Sequence, residues 1–234
     1  MGNCVASTNP CETARLLAQL GERVFMPLFL KPTREEFPGY AEDPIEALKL
    51  FLSAYAFERQ GRSPHYPRLA VQALDELSNA QENLFESRDF SQRLWRTFLE
   101  LGKFPDNGRG AACKVNPLWP GSDQGETHDL SAVAVCRKLK PHGYNLYRFA
   151  RESLVQNRVR DAHDDLQRIR GVGAKIASLF LRDVALELEA GLPRHTEGRE
   201  LLQPIDVCLR RSAERLLSRM PRDNQDGFRD NQDG

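Results

Sequence analysis

The stretch "DDLQRIRGVGAKIASLFLRD", residues 164–183, decides how this chain is read. Ala162, Leu166 and Ile169 set an apolar stripe along a first helix, with Asp161 as a candidate cap. Ile176, Leu179, Phe180 and Val184 fall on one face of a second helix. Between the two stands Gly171-Val172-Gly173. Gly171 can take a positive φ and end the first helix. Val172 can pack between the helices, and Gly173 lets another surface approach the backbone closely. The first amides of the second helix then point outward at the positive end of its dipole, which suits a phosphate. Arg168, Arg170, Lys175 and Arg182 are basic neighbours and favour a DNA backbone. The alternative is a turn that packs against its own protein alone.

Charge supports the polyanion reading. The chain has 234 residues with 33 Lys and Arg against 33 Asp and Glu. From Arg137 to Arg222 there are 18 basic and 11 acidic residues, and the remainder carries 15 and 22. One end therefore has an excess of seven positive charges, which the other end cancels.

The rest of the chain reads as helices and turns. "DPIEALKLFLSAYAFERQG", residues 43–61, keeps helical spacing at Ile45, Leu48, Leu52, Tyr55 and Ala56. Pro44 suits its first turn and Gly61 its end. "PRLAVQALDELSNA" and "DFSQRLWRTFLELG" are two more amphipathic helices. Phe104 to Thr127 is rich in proline and glycine and predicts a long loop, a common place for function. Helices resume near Leu130 and from Asn145. No alternating strand pattern is found, so the predicted class is all-α. The tail "RDNQDGFRDNQDG" repeats RDNQDG and lacks the apolar content to pack. Three regions follow: an N-terminal extension over 1–40, a helical domain over 41–221, and a tail over 222–234 expected to be disordered.

Composition limits the function classes. Hydrophobic residues make up 40% and charged residues 28%, the balance of a globular protein. No apolar run approaches the ~18 residues of a membrane span, and no signal peptide is expected. "MGNCVAS" invites a myristoylation reading, but Ala6 stands where the motif wants Ser or Thr. Cys4, Cys11, Cys113, Cys136 and Cys208 are odd in number and form no CxxC pair. That argues against a zinc site or an iron–sulfur cluster and for free thiols in an intracellular protein of the cytoplasm, nucleoid or nucleus.

"IRGVGAKIA" resembles the helix-hairpin-helix of the HhH-GPD DNA glycosylases, whose pattern is roughly L-P-G-V-G-x-K-x-A. Arg170 stands where proline is common. The family's second signature is a proline, an apolar residue and an aspartate opening a later helix. Here it matches Pro204, Ile205 and Asp206 in "QPIDVCLRRSAERLL", with Cys208 where histidine is frequent. Lys175 and Asp206 are 31 residues apart (206 − 175). This interval is long for the endonuclease III type and is similar to that of the archaeal 8-oxoguanine glycosylases. Upstream, "DPIEALKLFLSAYA" resembles the family's opening helix, which puts Tyr55 where a wedge residue fills the gap left by a flipped base; core packing is the other reading of Tyr55.

The resemblance implies two helical lobes flanking a cleft, and a monomer that acts on double-stranded DNA containing a damaged base, without metal or other cofactor. It implies DNA backbone contacts at Arg170, Gly171, Val172 and Gly173. Lys175 would attack C1′ of a flipped nucleotide, with Asp206 assisting, and the resulting Schiff base would open the strand by β-elimination. A lysine must be neutral to attack carbon, and a carboxylate suits a sugar that becomes oxocarbenium-like. Asp206 is also a good helix cap, and Lys175 also suits a phosphate contact. Trp119, Tyr147 and Phe149 can stack on a base or pack in the core. The expected activity is a bifunctional glycosylase/AP lyase for an oxidised base, 8-oxoguanine foremost. The alternatives are a non-enzymatic helix-hairpin-helix binding module and a glycosylase for another damaged base.

Binding of duplex DNA should be electrostatic and largely independent of sequence. A titration across salt concentrations should give a log–log slope on the order of −3 to −6, for a few neutralised phosphates. A flat response, or no binding at low salt, would remove the DNA reading in both its forms.

Overall fold

Asp43 starts the first helix as its sequence suggests. Its carboxylate accepts from the amides of Ile45 at 2.7 Å and Glu46 at 3.3 Å, and Pro44 fills the first position, where no amide is needed. The computed structural model describes residues 35–57, 65–78, 84–105, 116–120, 129–187 and 198–202. Its helices are α1 Pro44–Phe51, α2 His65–Ser78, α3 Phe90–Leu101, α4 Ala132–Lys138, α5 Leu146–Val155, α6 Val159–Gln167 and α7 Ala174–Glu187. Among the described residues there is no strand. A single backbone bridge pairs Leu130 with Ile169. The class is all-α. No described helix is long and apolar enough to cross a membrane.

α1 runs without interruption into a π-helical turn, Leu52–Phe57. The widened turn carries Tyr55, which is 2% exposed. Phe180 of α7 meets Phe51 and Tyr55 edge to face, each at 5.1 Å between centroids. The Tyr55 hydroxyl donates to Asp183 Oδ2 at 3.1 Å. Arg182 grips the other oxygen of Asp183 through Nε at 2.8 Å and Nη2 at 2.6 Å. Asp183 is 1% exposed, so this carboxylate would be costly without those partners. Tyr55 thus belongs to the core, and the wedge reading does not match its place.

The other apolar stripes meet in one continuous core. α2 packs on α3 and on the π turn, α1 reaches α5, and α5, α6 and α7 pack on one another. Ile176, Leu179, Phe180 and Val184 are all buried, as their spacing predicts. Tyr147 and Phe149 are buried too, which settles them as core. Gly102 ends α3 where a Cβ would overlap the Phe104 ring. Lys49 is buried against Glu46 at 2.6 Å and Asp75 at 2.5 Å. Burial opposes its charge, but hydrogen bonds and attraction from the two carboxylates outweigh that and hold its pKa above the ordinary lysine value.

One sequence expectation changes here, and another is met at Cys136. Asp161 does not cap α6; the helix begins at Val159, and Asp161 lies within its first turn, where a carboxylate favours the dipole instead. Cys136 is a free thiol, fully buried, and burial pushes it far above the usual thiol range, so it is inert. The other four cysteines, most of the 1–40 extension, residue 61, most of the 104–127 loop and the 222–234 tail lie outside the described residues.

The tie between the π turn and α7 should be measurable. Tyr55→Phe should cost about 1 kcal/mol for one lost hydrogen bond, and Asp183→Ala about 2–3 kcal/mol, because it leaves the Tyr55 hydroxyl and Arg182 without their partner. Urea unfolding checks both; if neither substitution moves the midpoint, the buried carboxylate does not stabilise the fold.

Candidate nucleic-acid interface

The turn between α6 and α7 is set by backbone bonds on both sides. The Leu130 amide donates to the Arg168 carbonyl at 2.9 Å, and the Arg170 amide donates back to the Leu130 carbonyl at 2.8 Å. Leu130 is fully buried, so this clamp is anchored in the core. Ser131 follows and caps α4, with its hydroxyl accepting from the Ala134 amide at 3.1 Å. Gly171 then turns the chain with φ +76°, a conformation that glycine adopts without strain. The Val172 amide closes onto the Ile169 carbonyl at 2.9 Å, and the Val172 side chain is buried. The expected roles of Gly171 and Val172 in the turn are those seen.

Gly173 serves a different purpose. Its carbonyl starts α7 by accepting from the Ile176 and Ala177 amides at 3.0 and 3.1 Å. It is exposed, and no described atom lies within 4 Å of where a Cβ would stand. Packing among the described residues therefore does not require glycine at this position. Ala174 and Lys175 are exposed beside it. This end of α7, ahead of the Ile176 amide that bonds to Gly173, carries the positive end of the helix dipole. Together these features can hold an anion with its backbone close by.

The arginines around the turn are less available than their number suggests. Arg170 is 8% exposed. Its guanidinium lies 4.2 Å over the Trp119 ring and donates to the Asp129 carbonyl at 3.3 Å. A direct phosphate contact by the Arg170 side chain does not match this placement; packing against the 116–120 segment has turned it inward. Arg168 pairs with Asp165 at 3.4 Å, and Arg182 is bound to Asp183. Lys175 is the exposed basic side chain that the structure sets next to Gly173. Asp206, the other expected catalytic residue, lies outside the described residues.

Three supporting residues were not singled out for their roles by sequence. Leu130 stands alone between a loop and a helix, and its only signal is the Ser131 cap behind it. Trp119 carries an aromatic signal, but nothing in sequence tells an arginine platform from a base platform. His163 is 4% exposed and joins the two helices of the turn. Gln167 donates to its Nδ1 at 3.0 Å, which leaves Nε2 to donate to the Ala174 carbonyl and the Ser178 hydroxyl, both at 3.3 Å. The (i, i+4) spacing of His163 and Gln167 is a helical signal that could have been noticed. Among the described residues, no group of three or more His, Cys, Asp or Glu could hold a metal ion.

No protein-family model matches the chain. No solved structure shows a significant match. An uncharacterized protein of Methanocaldococcus jannaschii is 29% identical over 198 residues, covering 77% of this chain and 43% of that protein. The chain spans less than half the length of that relative.

The two glycines should separate stability from binding. Gly171→Ala should destabilise by about 1 kcal/mol, because its φ is unfavourable for a residue with a side chain. Gly173→Ala should leave thermal stability nearly unchanged yet weaken duplex DNA binding, because the new methyl holds a phosphate away from the helix end. Loss of stability with unchanged DNA affinity in Gly173→Ala would place the glycine in the fold and not in an interface.

Proposed function

We propose that this chain is a bifunctional DNA glycosylase/AP lyase that removes an oxidised base, 8-oxoguanine foremost, from double-stranded DNA. In this reading α6, the Gly171–Gly173 turn and α7 form a helix-hairpin-helix between two helical lobes. The observation that carries it is the exposed run Gly173-Ala174-Lys175: a helix end with open space over its glycine and a lysine in its first turn. A DNA backbone can approach Gly173, and a lysine one helical step on is close to whatever that backbone carries. The part given to Asp206 rests on the resemblance of Pro204-Ile205-Asp206 to the family's second signature.

The chemistry follows from the residue types. The neutral Lys175 amine attacks C1′ of an extruded nucleotide, the C1′–N bond breaks, and the base leaves with a proton. The Asp206 carboxylate stabilises the developing positive sugar, then takes the proton that the attached amine loses and passes it to the departing base. The C1′–O4′ bond then opens, the ring oxygen takes a proton, and C1′ becomes an imine on Lys175; this acidifies the neighbouring sugar carbon, so β-elimination breaks the bond to the 3′ oxygen. A second reading, a non-enzymatic DNA-binding module, is favoured by the exposure of Lys175, which equally suits a phosphate contact.

Duplexes carrying 8-oxoguanine, oxidised pyrimidines, uracil or an abasic site decide between them, with borohydride to trap the imine. Lys175→Gln should abolish trapping while sparing DNA affinity, since the backbone donors remain; a salt slope lowered by about one, the contribution of one cation, would instead mark the phosphate contact of the binding module. Asp206→Asn should slow excision by about 10²-fold or more, with damaged DNA still bound. DNA binding without excision or trapping in the unaltered protein would leave the binding module; trapping retained in Lys175→Gln would make another amine the nucleophile.

A further inference from the structure

The turn that joins α4 to α5 holds a bulky residue in an uncommon conformation. Gly143 and Tyr144 both take φ of +64°. The left-handed region suits Gly143 but is unfavourable for a tyrosine. The surroundings hold Tyr144 there. Its ring stacks on Phe85 at 5.6 Å with 10° between the planes, and its hydroxyl donates to Glu86 at 3.0 Å. Phe85 is buried beneath it, so the partly exposed Tyr144 ring is the aromatic wall of this surface.

That wall borders an open cavity of about 390 Å³, lined by Phe85, Glu86, Arg88, Arg137, Lys140 and Tyr144. The volume lies within the range of small-molecule sites, ~300–1,000 Å³. Three cations face one carboxylate, an excess of two positive charges. Arg137 is fixed from behind: Nε donates to the Phe85 carbonyl at 3.2 Å and Nη2 to the Ser87 carbonyl. Its Nη1 has no hydrogen bond among the described residues. Lys140 is held by Glu86 at 3.4 Å. Arg88 is exposed and makes no hydrogen bond or ion pair among the described residues. A guanidinium edge held from behind, an exposed guanidinium and a flat ring thus converge on one space.

We propose that this cavity binds a nucleotide, with its phosphate on Arg88 and Arg137 and its base on the Tyr144 ring. The charge balance matches a phosphate monoester, which carries close to two negative charges at neutral pH. Guanidinium forks suit its oxygens, and an aromatic face accepts any base. Glu86 orients Tyr144 and Lys140 and does not enter the site as an acid: the Tyr144 hydroxyl and Lys140 keep its carboxyl below the usual range and therefore ionised. The site does not depend on the glycosylase reading, since the α6–α7 turn contributes no lining residue.

Calorimetric titration of the full chain with AMP tests this, with inorganic phosphate, adenosine and the short single strand dT4 as further arms. AMP should bind, phosphate and adenosine each more weakly, and Arg88→Gln should raise the AMP dissociation constant about tenfold, as for one charge-assisted contact. Arg88 is exposed and makes no hydrogen bond or ion pair among the described residues, so the variant should fold as the parent does, which circular dichroism checks. Tyr144→Gly relieves the backbone and removes the ring; it should be at least as stable and still lose AMP affinity. If dT4 binds with the same dependence on Arg88 and AMP does not, the nucleotide comes from a nucleic-acid strand. If neither binds at millimolar concentration, or both bind Arg88→Gln and Tyr144→Gly as well as the parent, the proposal is overturned. Borohydride trapping should be unchanged in Arg88→Gln, so this result and the outcome for Lys175 can be told apart.

Discussion

Two backbone hydrogen bonds to Leu130 fix the α6–α7 turn. A turn containing two glycines has many conformations, and α6 and α7 alone do not select one. By pairing with the carbonyl of Arg168 and the amide of Arg170, Leu130 straightens the chain just before Gly171. The positive φ of Gly171 then has a fixed starting direction, and α7 leaves the turn at one angle. Because Leu130 is in the core and Ser131 caps α4, the clamp ties the turn to a helix far from it in sequence. The 116–120 segment closes the same region: the Ala132 amide donates to the Pro117 carbonyl at 2.8 Å, and Trp119 lies under Arg170.

The far end of α7 is held by different forces. Asp183, Tyr55 and Arg182 bring two charges and a hydroxyl together where water is scarce, and the aromatic contacts of Phe180 surround them. A buried carboxylate of this kind constrains orientation more than it adds stability, because an alternative packing would strand it. α7 is thus located along its length by the Leu130 clamp and His163 at one end and by the Asp183 cluster at the other. The exposed Gly173–Lys175 run is thereby held in one place.

Much of this was legible in the sequence, and what escaped has common causes. The helices α1 to α7 follow from apolar spacing and from local signals such as Pro44, while the caps Asp43 and Asn145 were not singled out in the sequence. The turn glycines were legible because positive φ and close approach are nearly glycine's alone. Charge pairing was not: Arg168, Arg170 and Arg182 look alike in sequence, and their fates depend on which carboxylate or ring the fold brings near. The π turn after α1 was equally hidden, since its residues continue a helical spacing and the widened register arises from packing against α7. Tyr144 gave no signal at all, because a left-handed tyrosine follows from its contacts with Phe85 and Glu86, more than fifty residues earlier.

The fates of the arginines change what kind of anion site the turn can be. Counting cations suggests a basic patch in which long side chains reach out and neutralise phosphates. The structure has turned Arg170 onto Trp119 and engaged Arg168 and Arg182 with their own acidic neighbours. What faces outward is mainly backbone: the exposed Gly173 and Ala174 and the amides of the first turn of α7. Backbone donors are fixed in direction and indifferent to sequence, so they recognise the spacing and geometry of a phosphate more than the charge of a polyanion. Lys175, exposed in the same turn, is the basic side chain set beside this backbone.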